Sequence, residues 1–267
     1  MLQTTQIDAV TQYRLTRTIL GRNLYHVAAY FVDGLLIDTG FDYLAERFYQ
    51  ALQNQNVAQI VNTHHHEDHV GANYLFEQRQ GLKALAHQLA LPLIEKPPLK
   101  LKPYRHVVWG VPKPAHPAAI GATIFTPKYS FQVLHLPGHS ADHIGLYEPQ
   151  QGWLFSGDLF LSVKVRVLRH DEDVLAAMDS LRRVIALPLQ RLFCGSGKIF
   201  DNPGEVLSKK LAFYEEIQQR AQALHQKGWE PEKIRDAVLG NEGVWPWISQ
   251  GEFSKLNLVK AFLKRET

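Results

Sequence analysis

The sequence predicts an α/β layered protein that ends in a helical extension. Short apolar runs of strand length alternate with helical patterns in two successive halves, and the pattern is wholly helical from residue 204 onward. Strands that alternate with helices are typical of layered α/β folds. We therefore predict an α/β domain over residues 1–203 and a helical C-terminal extension over residues 204–267.

The composition is that of an ordinary globular protein, with 45% hydrophobic and 21% charged residues in a chain of 267. The 29 basic and 26 acidic side chains leave a net charge of +3, too balanced to indicate a nucleic-acid or membrane partner by itself. The first residues lack a basic region followed by an apolar one, and no apolar run approaches the roughly 18 residues that suggest a membrane span. We expect a cytoplasmic protein that acts on a small molecule without membrane contact, and the oligomeric state stays open.

Apolar runs and their periodicity place the individual elements. In the first half we predict strands over 24–32, 35–38, 58–62 and 83–86, and helices over 43–53 and 71–78. In the second half we predict strands over 131–136, 144–147, 153–156 and 191–194, and a helix over 171–186. The extension should hold helices over 205–226, 231–239 and 251–265.

A proline-rich segment over 92–117 separates the two halves and contains seven prolines. Proline removes a backbone donor and is excluded from helix interiors and central strands. We therefore predict a long loop or flap, packed by its own aromatic residues and without regular helix. Loops of this length are commonly functional.

Four side chains of metal-ligand type follow the strand over 58–62 within six residues: His64, His66, Asp68 and His69. Imidazole and carboxylate groups bind zinc, iron and manganese. A solvated histidine-rich turn is the competing interpretation, and this dense spacing argues against it. His65 should point away from the others, because neighbours in an extended segment face opposite sides.

Two further candidate ligands also follow predicted strands. His139 comes after Pro137-Gly138, and Asp158 comes after Ser156-Gly157. Either one alone could be a turn histidine or a helix cap. Three ligand-bearing segments, each at the end of a strand, make coincidence much less plausible and predict a single metal centre.

In this order the elements resemble the metallo-β-lactamase superfamily. The resemblance is carried by Asp38-Thr39-Gly40, His64-x-His66-x-Asp68-His69, Pro137-Gly138-His139 and Gly157-Asp158, and it covers about residues 14–200. It implies a four-layer αββα sandwich with the metal site at one edge of two facing sheets. It also implies that His64, His66 and His139 hold one metal, that Asp68 and His69 hold a second, and that Asp158 bridges both. Asp38 would orient the histidine loop.

One position departs from the family pattern. The family usually supplies a sixth ligand, a histidine after the last strand, and this chain has Ser196 there. Because a neutral hydroxyl is a poor zinc ligand, we expect one tight Zn²⁺ and a second that is weak or absent, with Fe or Mn as other candidates. Cys194 is the alternative sixth ligand. Four basic residues follow the metal-bearing segments and could meet a substrate carboxylate or phosphate or stay solvated: Lys164, Arg166, Arg169 and Lys198. His143 could support the centre or simply begin a strand.

The reaction follows from the three-histidine site. Such a site with an open position lowers the pKa of bound water to about 7, so a metal-bound hydroxide can attack a small ester or thioester. Asp68 would act in catalysis by accepting a hydrogen bond from that water. We therefore predict a metal-dependent hydrolase, similar to the hydroxyacylglutathione hydrolases, which also end in a helical extension.

Two alternative functions stay open. Some relatives of this size cleave RNA, and residues 138–143 look similar to theirs, which would make the chain an endoribonuclease or phosphodiesterase. The near-neutral charge and the incomplete second site argue against this, since phosphodiester cleavage commonly uses paired metals. The other alternative is a mononuclear iron dioxygenase for a thiol or persulfide, with His64, His139 and Asp158 as its two-histidine, one-carboxylate site.

Overall fold

The computed structural model describes residues 1–98 and 100–264, and across these residues the strands form two large sheets and one small one. The first sheet runs in sequence order, and its strands are β1 (Leu2–Ile7), β2 (Val10–Ile19), β3 (Arg22–Val32), β4 (Leu35–Ile37), β5 (Gln59–Val61), β6 (Ala84–Ala86) and β7 (Ala118–Ala119). The β1 to β4 pairs are antiparallel, and the pairs from β4 to β7 are parallel.

The second large sheet has the strand order β14-β13-β11-β10-β9-β8, and β12 and β15 form the small sheet. Only the β11–β13 pair of the second sheet is parallel. The strands are β8 (Thr123–Phe125), β9 (Ser130–His135), β10 (Ile144–Glu148), β11 (Trp153–Phe155), β12 (Leu168–Arg169), β13 (Arg191–Phe193), β14 (Ile199–Asp201) and β15 (Phe253–Ser254).

Helices cover the outer face of both large sheets. They are α1 (Ala45–Ala51), α2 (Asn73–Gln80), α3 (Leu91–Glu95), α4 (Pro103–Trp109), α5 (Val174–Ile185), α6 (Gly204–Gln226), α7 (Pro231–Leu239), α8 (Trp245–Ile248) and α9 (Lys255–Leu263). α1 and α2 pack on the first sheet, and α5, α6, α7 and α9 pack on the second. Among the described residues, no helix is both long and apolar enough to cross a membrane.

The alternation of side chains along the strands explains why the protein has four layers. In β3, Val27 and Ala29 face the α1/α2 side, while Ala28 and Tyr30 face the space between the two sheets. Successive side chains of a strand point to opposite faces, so one apolar run serves both interfaces. The αββα sandwich predicted from the sequence is confirmed.

Two backbone hydrogen bonds join the sheets where the candidate ligands lie. The Ile144 N–H, at the start of β10, donates to the Thr63 carbonyl just beyond β5 at 2.8 Å. The Ala28 N–H of β3 donates to the Gly195 carbonyl just beyond β13 at 2.7 Å. The loops after β5 and β13 are therefore held at a shared edge of the sandwich.

The N-terminal hairpin of β1 and β2 was not among the predicted strands. The four central residues of β1 are exposed, and its side chains are largely Gln and Thr. An exposed edge strand needs no apolar face, so it lacks the alternation by which strands are recognised.

The prediction that the proline-rich segment contains no helix is wrong. α3 and α4 both lie in or at the edge of it, with a proline at the first or second position of each. Proline is tolerated there because the first helical N–H groups have no partner within the helix. The expected aromatic packing is present, since the rings of Tyr104 and Trp109 lie 6.0 Å apart.

The prediction of a wholly helical extension also needs correction. α6 and α7 lie where they were expected, but the helix over 251–265 is shorter, and its residue 265 lies outside the described residues. Phe253 and Ser254 instead form β15, which pairs with β12 of the preceding region. Ser254 then caps α9 through its hydroxyl, which accepts from Asn257 N–H at 2.8 Å. The division of the chain at residue 204 stays a prediction.

Gly138 should be required for stability, because its φ is +138° and a Cβ there would lie 2.5 Å from the backbone of Ala177 in α5. We expect Gly138→Ala to lower the free energy of unfolding by about 3 kcal/mol through strain and overlap. Gly121→Ala is the matched control, since a Cβ there meets nothing within 4 Å. Urea denaturation of both variants checks this, and equal midpoints would contradict it.

Candidate metal centre

Three histidine nitrogens converge after β5 and β9. His64 Nε2 lies 2.8 Å from His66 Nδ1, and His139 Nε2 lies 2.9 Å from the same atom. His64 and His66 are buried, and His139 is 16% exposed through its side chain. Imidazole nitrogens this close together can hold one metal ion between them.

A second group shares His64 with the first and adds His69 and Asp158. Asp158 Oδ1 lies 3.5 Å from His69 Nε2, and its Oδ2 lies 3.5 Å from His139 Nε2. The Asp158 carboxylate therefore faces both groups. Asp68 borders the second group, with Oδ2 3.7 Å from His69 Nε2.

Two buried atoms in the second group have no hydrogen-bond partner among the described residues, His69 Nε2 and Asp158 Oδ1. Buried polar atoms are nearly always satisfied, and a cation between this imidazole nitrogen and this carboxylate oxygen would satisfy both. The donor set therefore fits the metal that the sequence predicts.

Asp38 organises the loop that carries these ligands, as the family resemblance implied. Its Oδ1 accepts from the Thr63 N–H at 2.7 Å. Its Oδ2 contacts the Thr63 hydroxyl at 2.8 Å and His69 Nδ1 at 2.7 Å. A proton on His69 Nδ1 satisfies this contact, so Nε2 is the ring nitrogen that faces Asp158.

Glu172 orients His139 in the way that Asp38 orients His69, and the sequence analysis did not identify it. Glu172 Oε1 lies 2.8 Å from His139 Nδ1, which leaves Nε2 for the metal. The only signal was an acidic run before α5, which resembles an ordinary helix start. Asp173 is indeed the cap, since it accepts from the Leu175 and Ala176 N–H groups.

Tyr25 is a second residue that sequence reasoning missed. Its hydroxyl, presented by β3, donates to Asp68 Oδ2 at 2.7 Å. Burial, and then the charge of Asp68, raise the pKa of Tyr25 well above its usual value, so the hydroxyl stays a donor. Trp109 of α4 packs edge-on against Tyr25 at 5.4 Å, which brings the proline-rich segment over this carboxylate.

His66 has a different neighbour on its far side. Arg169 Nη2 lies 2.6 Å from His66 Nε2, and Arg169 Nε donates to Asp171. Arg169 sits in β12, whose pairing with β15 ties this guanidinium to the C-terminal extension. The sequence indicated Arg169 only as one of four basic residues that could meet a substrate anion, and its contact with His66 was not predicted.

The two halves of the centre differ in electrostatics. Burial, and then the neighbouring cationic groups, lower the pKa of His64 and of His66 well below 6.5, so both are neutral as metal binding requires. Burial opposes a charge on His69 as well, but Asp38, Asp68 and Asp158 outweigh it and raise the pKa of His69 well above 6.5. A metal in this half must therefore displace a proton.

Ser196 and Lys198, whose roles the sequence left open, lie around the edge of the centre. The Ser196 hydroxyl is buried and has no hydrogen-bond partner among the described residues, and the adjoining Gly195 backbone packs against Asp158. Lys198 is exposed and donates to the Leu161 carbonyl at 2.9 Å, away from the ligands.

Cys194 is not a substitute ligand. It belongs to the hydrophobic cluster beneath the second sheet, and burial raises the pKa of its thiol to about 12. Zinc is bound by the thiolate, which this environment disfavours. The alternative that placed Cys194 in the centre is therefore wrong.

His143 supports the centre without joining it. Its Nδ1 contacts the Leu136 carbonyl at 3.0 Å, and its Nε2 accepts from the Asp158 N–H at 3.1 Å. It thereby holds the turn that presents Asp158. His65 faces away, as expected, and pairs with Asp142 at 2.8 Å.

A cavity of about 300 Å³ opens beside His66. The proline-rich segment forms most of its apolar wall, and Arg105 and Arg169 lie on its polar side. Arg105 donates to Glu67 of the ligand loop at 2.7 Å and to Glu252 of the extension at 2.8 Å. Both the proline-rich segment and the extension therefore shape the entrance to the centre.

Comparison with known proteins agrees with this architecture. A hydroxyacylglutathione hydrolase of Legionella pneumophila (strain Lens) is 32% identical over 126 residues, which are 47% of this chain and 42% of that protein, so the match spans less than half of the Legionella protein. The beta-lactamase-like protein 2 homolog of Caenorhabditis elegans is 28% identical over 256 residues, 93% of this chain and 79% of that protein.

A crystal structure of a metallo-beta-lactamase family protein from Thermus thermophilus superposes with a TM-score of 0.68 over 96% of this chain and 92% of that one. The identity is 17%, so this likeness concerns the fold alone. The sequence profile of the metallo-beta-lactamase superfamily matches residues 22–196, more than half of the chain. The chain therefore belongs to the metallo-beta-lactamase superfamily.

Proposed function

We propose that the protein is a metal-dependent hydrolase of a small ester or thioester. His64, His66 and His139 would hold the essential metal, and Asp158 would face both positions. The observation that carries this proposal is the convergence of the three histidine nitrogens next to a cavity of about 300 Å³. Membership in the superfamily supports it.

The bound metal would supply a Lewis acid that lowers the pKa of water and polarises a carbonyl oxygen. Zinc is our preferred ion, because imidazole-rich sites suit it, and iron or manganese are alternatives. Asp68 would align the attacking water and take up its proton at the oxygen that Tyr25 does not hold. Glu172 and Asp38 would keep His139 and His69 in the tautomer with a free Nε2.

The second half of the centre is proposed to bind metal weakly. Asp68 and His69 are in place, but Ser196 offers only a hydroxyl and His69 retains a proton. A weak second metal would give little help to a poor leaving group. We therefore favour substrates with good leaving groups, such as thiolates.

Replacing His66 tests the assignment directly. We expect His66→Ala to lose tight metal binding and at least about 100-fold of the hydrolysis rate, more than the change of about 10–100-fold for residues that only support a ligand. His116→Ala is the control, because the His116 side chain is 66% exposed on the surface. Metal analysis with a panel of thioesters and oxygen esters measures both effects.

The same panel separates the alternatives. Unchanged metal content and activity in His66→Ala would reject the assignment. Iron with oxygen uptake would support the thiol or persulfide dioxygenase, and RNA cleavage with two bound metals would support the endoribonuclease.

The Glu172–His139 contact should set metal affinity. Glu172→Gln keeps the size but loses the charge that holds Nδ1, so we expect metal affinity to fall by about 10–100-fold. Glu77→Gln is a matched control, because Glu77 pairs with His116 Nδ1 at 2.9 Å on the protein surface. Competition with a chromogenic chelator measures affinity, and equal values in the two variants would contradict the role of Glu172.

Ser196 should limit the number of tight metals. We expect the wild type to bind about one equivalent of zinc tightly and Ser196→His to bind about two, since imidazole replaces a hydroxyl. Ser208→His, on the exposed face of α6, should stay at one. Metal analysis after gel filtration decides this, and two tight metals in the wild type would show that Ser196 is not limiting.

A further inference from the structure

We propose that the cavity beside His66 binds the carboxylate of a substrate with an otherwise apolar body, and that Arg169 recognises this carboxylate. The inference rests on the proposed function, to which it adds the class of substrate: an ester or thioester that carries a carboxylate group in addition to its scissile bond.

The shape and lining of the cavity suit such a molecule. Its volume of about 300 Å³ is at the lower end of small-molecule sites. His66 and Arg169 lie on one side. The proline-rich segment contributes the exposed Lys96 and an apolar part of the lining: Leu93, Ile94, Pro97, Pro98, Leu101 and Pro112. An apolar body would pack on this apolar part while its charged end faces the metal ligands.

The two arginines at the cavity differ in how far their charges are neutralised. Arg105 holds two buried carboxylates, Glu67 and Glu252, so its charge is fully matched. Arg169 has one carboxylate partner, Asp171, which is 50% exposed and is reached through Nε. The Nη2 end of Arg169 faces the ring of His66 instead of an acid.

The contact between Arg169 and His66 points to a missing acceptor. When Nδ1 of a histidine binds a metal, the ring carries its proton on Nε2. Arg169 Nη2 and His66 Nε2 would then both be donors, at positions 2.6 Å apart. A carboxylate oxygen can accept from both donors, and the planar guanidinium matches carboxylate geometry.

Arg169 is held in place for this task. Its side chain is 5% exposed, its backbone N–H donates to Glu172 Oε2 at 3.2 Å, and β12 pairs with β15 of the extension. The same Glu172 orients His139. The carboxylate site and the metal site therefore share one positioning residue, so a bound substrate would have a defined distance between its carboxylate and its scissile bond.

The test compares benzoate with its neutral counterpart benzamide by isothermal titration calorimetry on the metal-loaded chain. We expect benzoate to bind the wild type at least about ten-fold more tightly than benzamide, and Arg169→Gln to lose at least about ten-fold of benzoate affinity with benzamide unchanged. Arg166→Gln, at an exposed arginine three residues away, should behave like the wild type. Benzoate can also contact the metal, so the contribution of Arg169 is the difference between wild type and Arg169→Gln.

Asp171→Asn supplies an independent variant at a half-exposed position. It removes the acid that competes for Arg169, so benzoate should bind at least about three-fold more tightly. Equal benzoate binding by wild type and Arg169→Gln, equal binding of benzoate and benzamide by the wild type, or no gain in Asp171→Asn would overturn the proposal.

The binding assay also separates this inference from the proposed function. Benzoate binding through Arg169 in a chain that cleaves no ester or thioester would leave the carboxylate site standing and reject the hydrolase. Hydrolysis of an ester or thioester, together with equal benzoate affinity in the wild type and Arg169→Gln, would support the hydrolase and reject the carboxylate site.

Discussion

The buried carboxylate of Asp38 is the group on which the rest of the centre depends. Burying a charge is costly unless hydrogen bonds compensate, and here the Thr63 N–H, the Thr63 hydroxyl and His69 Nδ1 all meet it. The Thr63 carbonyl in turn accepts from Ile144 of the second sheet. One carboxylate therefore ties the ligand loop to both halves of the sandwich.

This arrangement produces a centre with two unequal halves. In the half built from His64, His66 and His139, burial lowers the pKa of His64 and of His66, whereas the half around His69 is dominated by carboxylates and ends at a hydroxyl. The difference follows from chemistry that is local to each half. It is the basis of the proposals that one metal binds tightly, that a second binds weakly, and that substrates with good leaving groups are favoured.

Features that depend on a short stretch of sequence were easier to predict than features that depend on residues far apart in the chain. The strands with nearly unbroken apolar runs were found because that pattern is intrinsic. β1 was missed because an exposed edge strand needs no such pattern, and β2 was missed because polar residues alternate with its buried apolar ones. Glu172 and Tyr25 were missed, and Arg169 was predicted only as a possible contact for a substrate anion, because their partners at the centre lie far away in the chain. The helices of the proline-rich segment were missed because proline excludes helix interiors but not first turns.

The sequence by itself determined which side chains can be ligands and that they follow strands, because the spacing from His64 to His69 is confined to one short loop. The pattern of strands and helices determined the layered α/β class, whereas the four-layer αββα arrangement was implied only by the resemblance to the metallo-β-lactamase superfamily. Only the tertiary structure decided which ring nitrogen of each histidine faces the centre, because the group that contacts the other nitrogen fixes the orientation of the ring. For His139 that group is Glu172, and for His66 it is Arg169, held in place by a strand of the C-terminal extension.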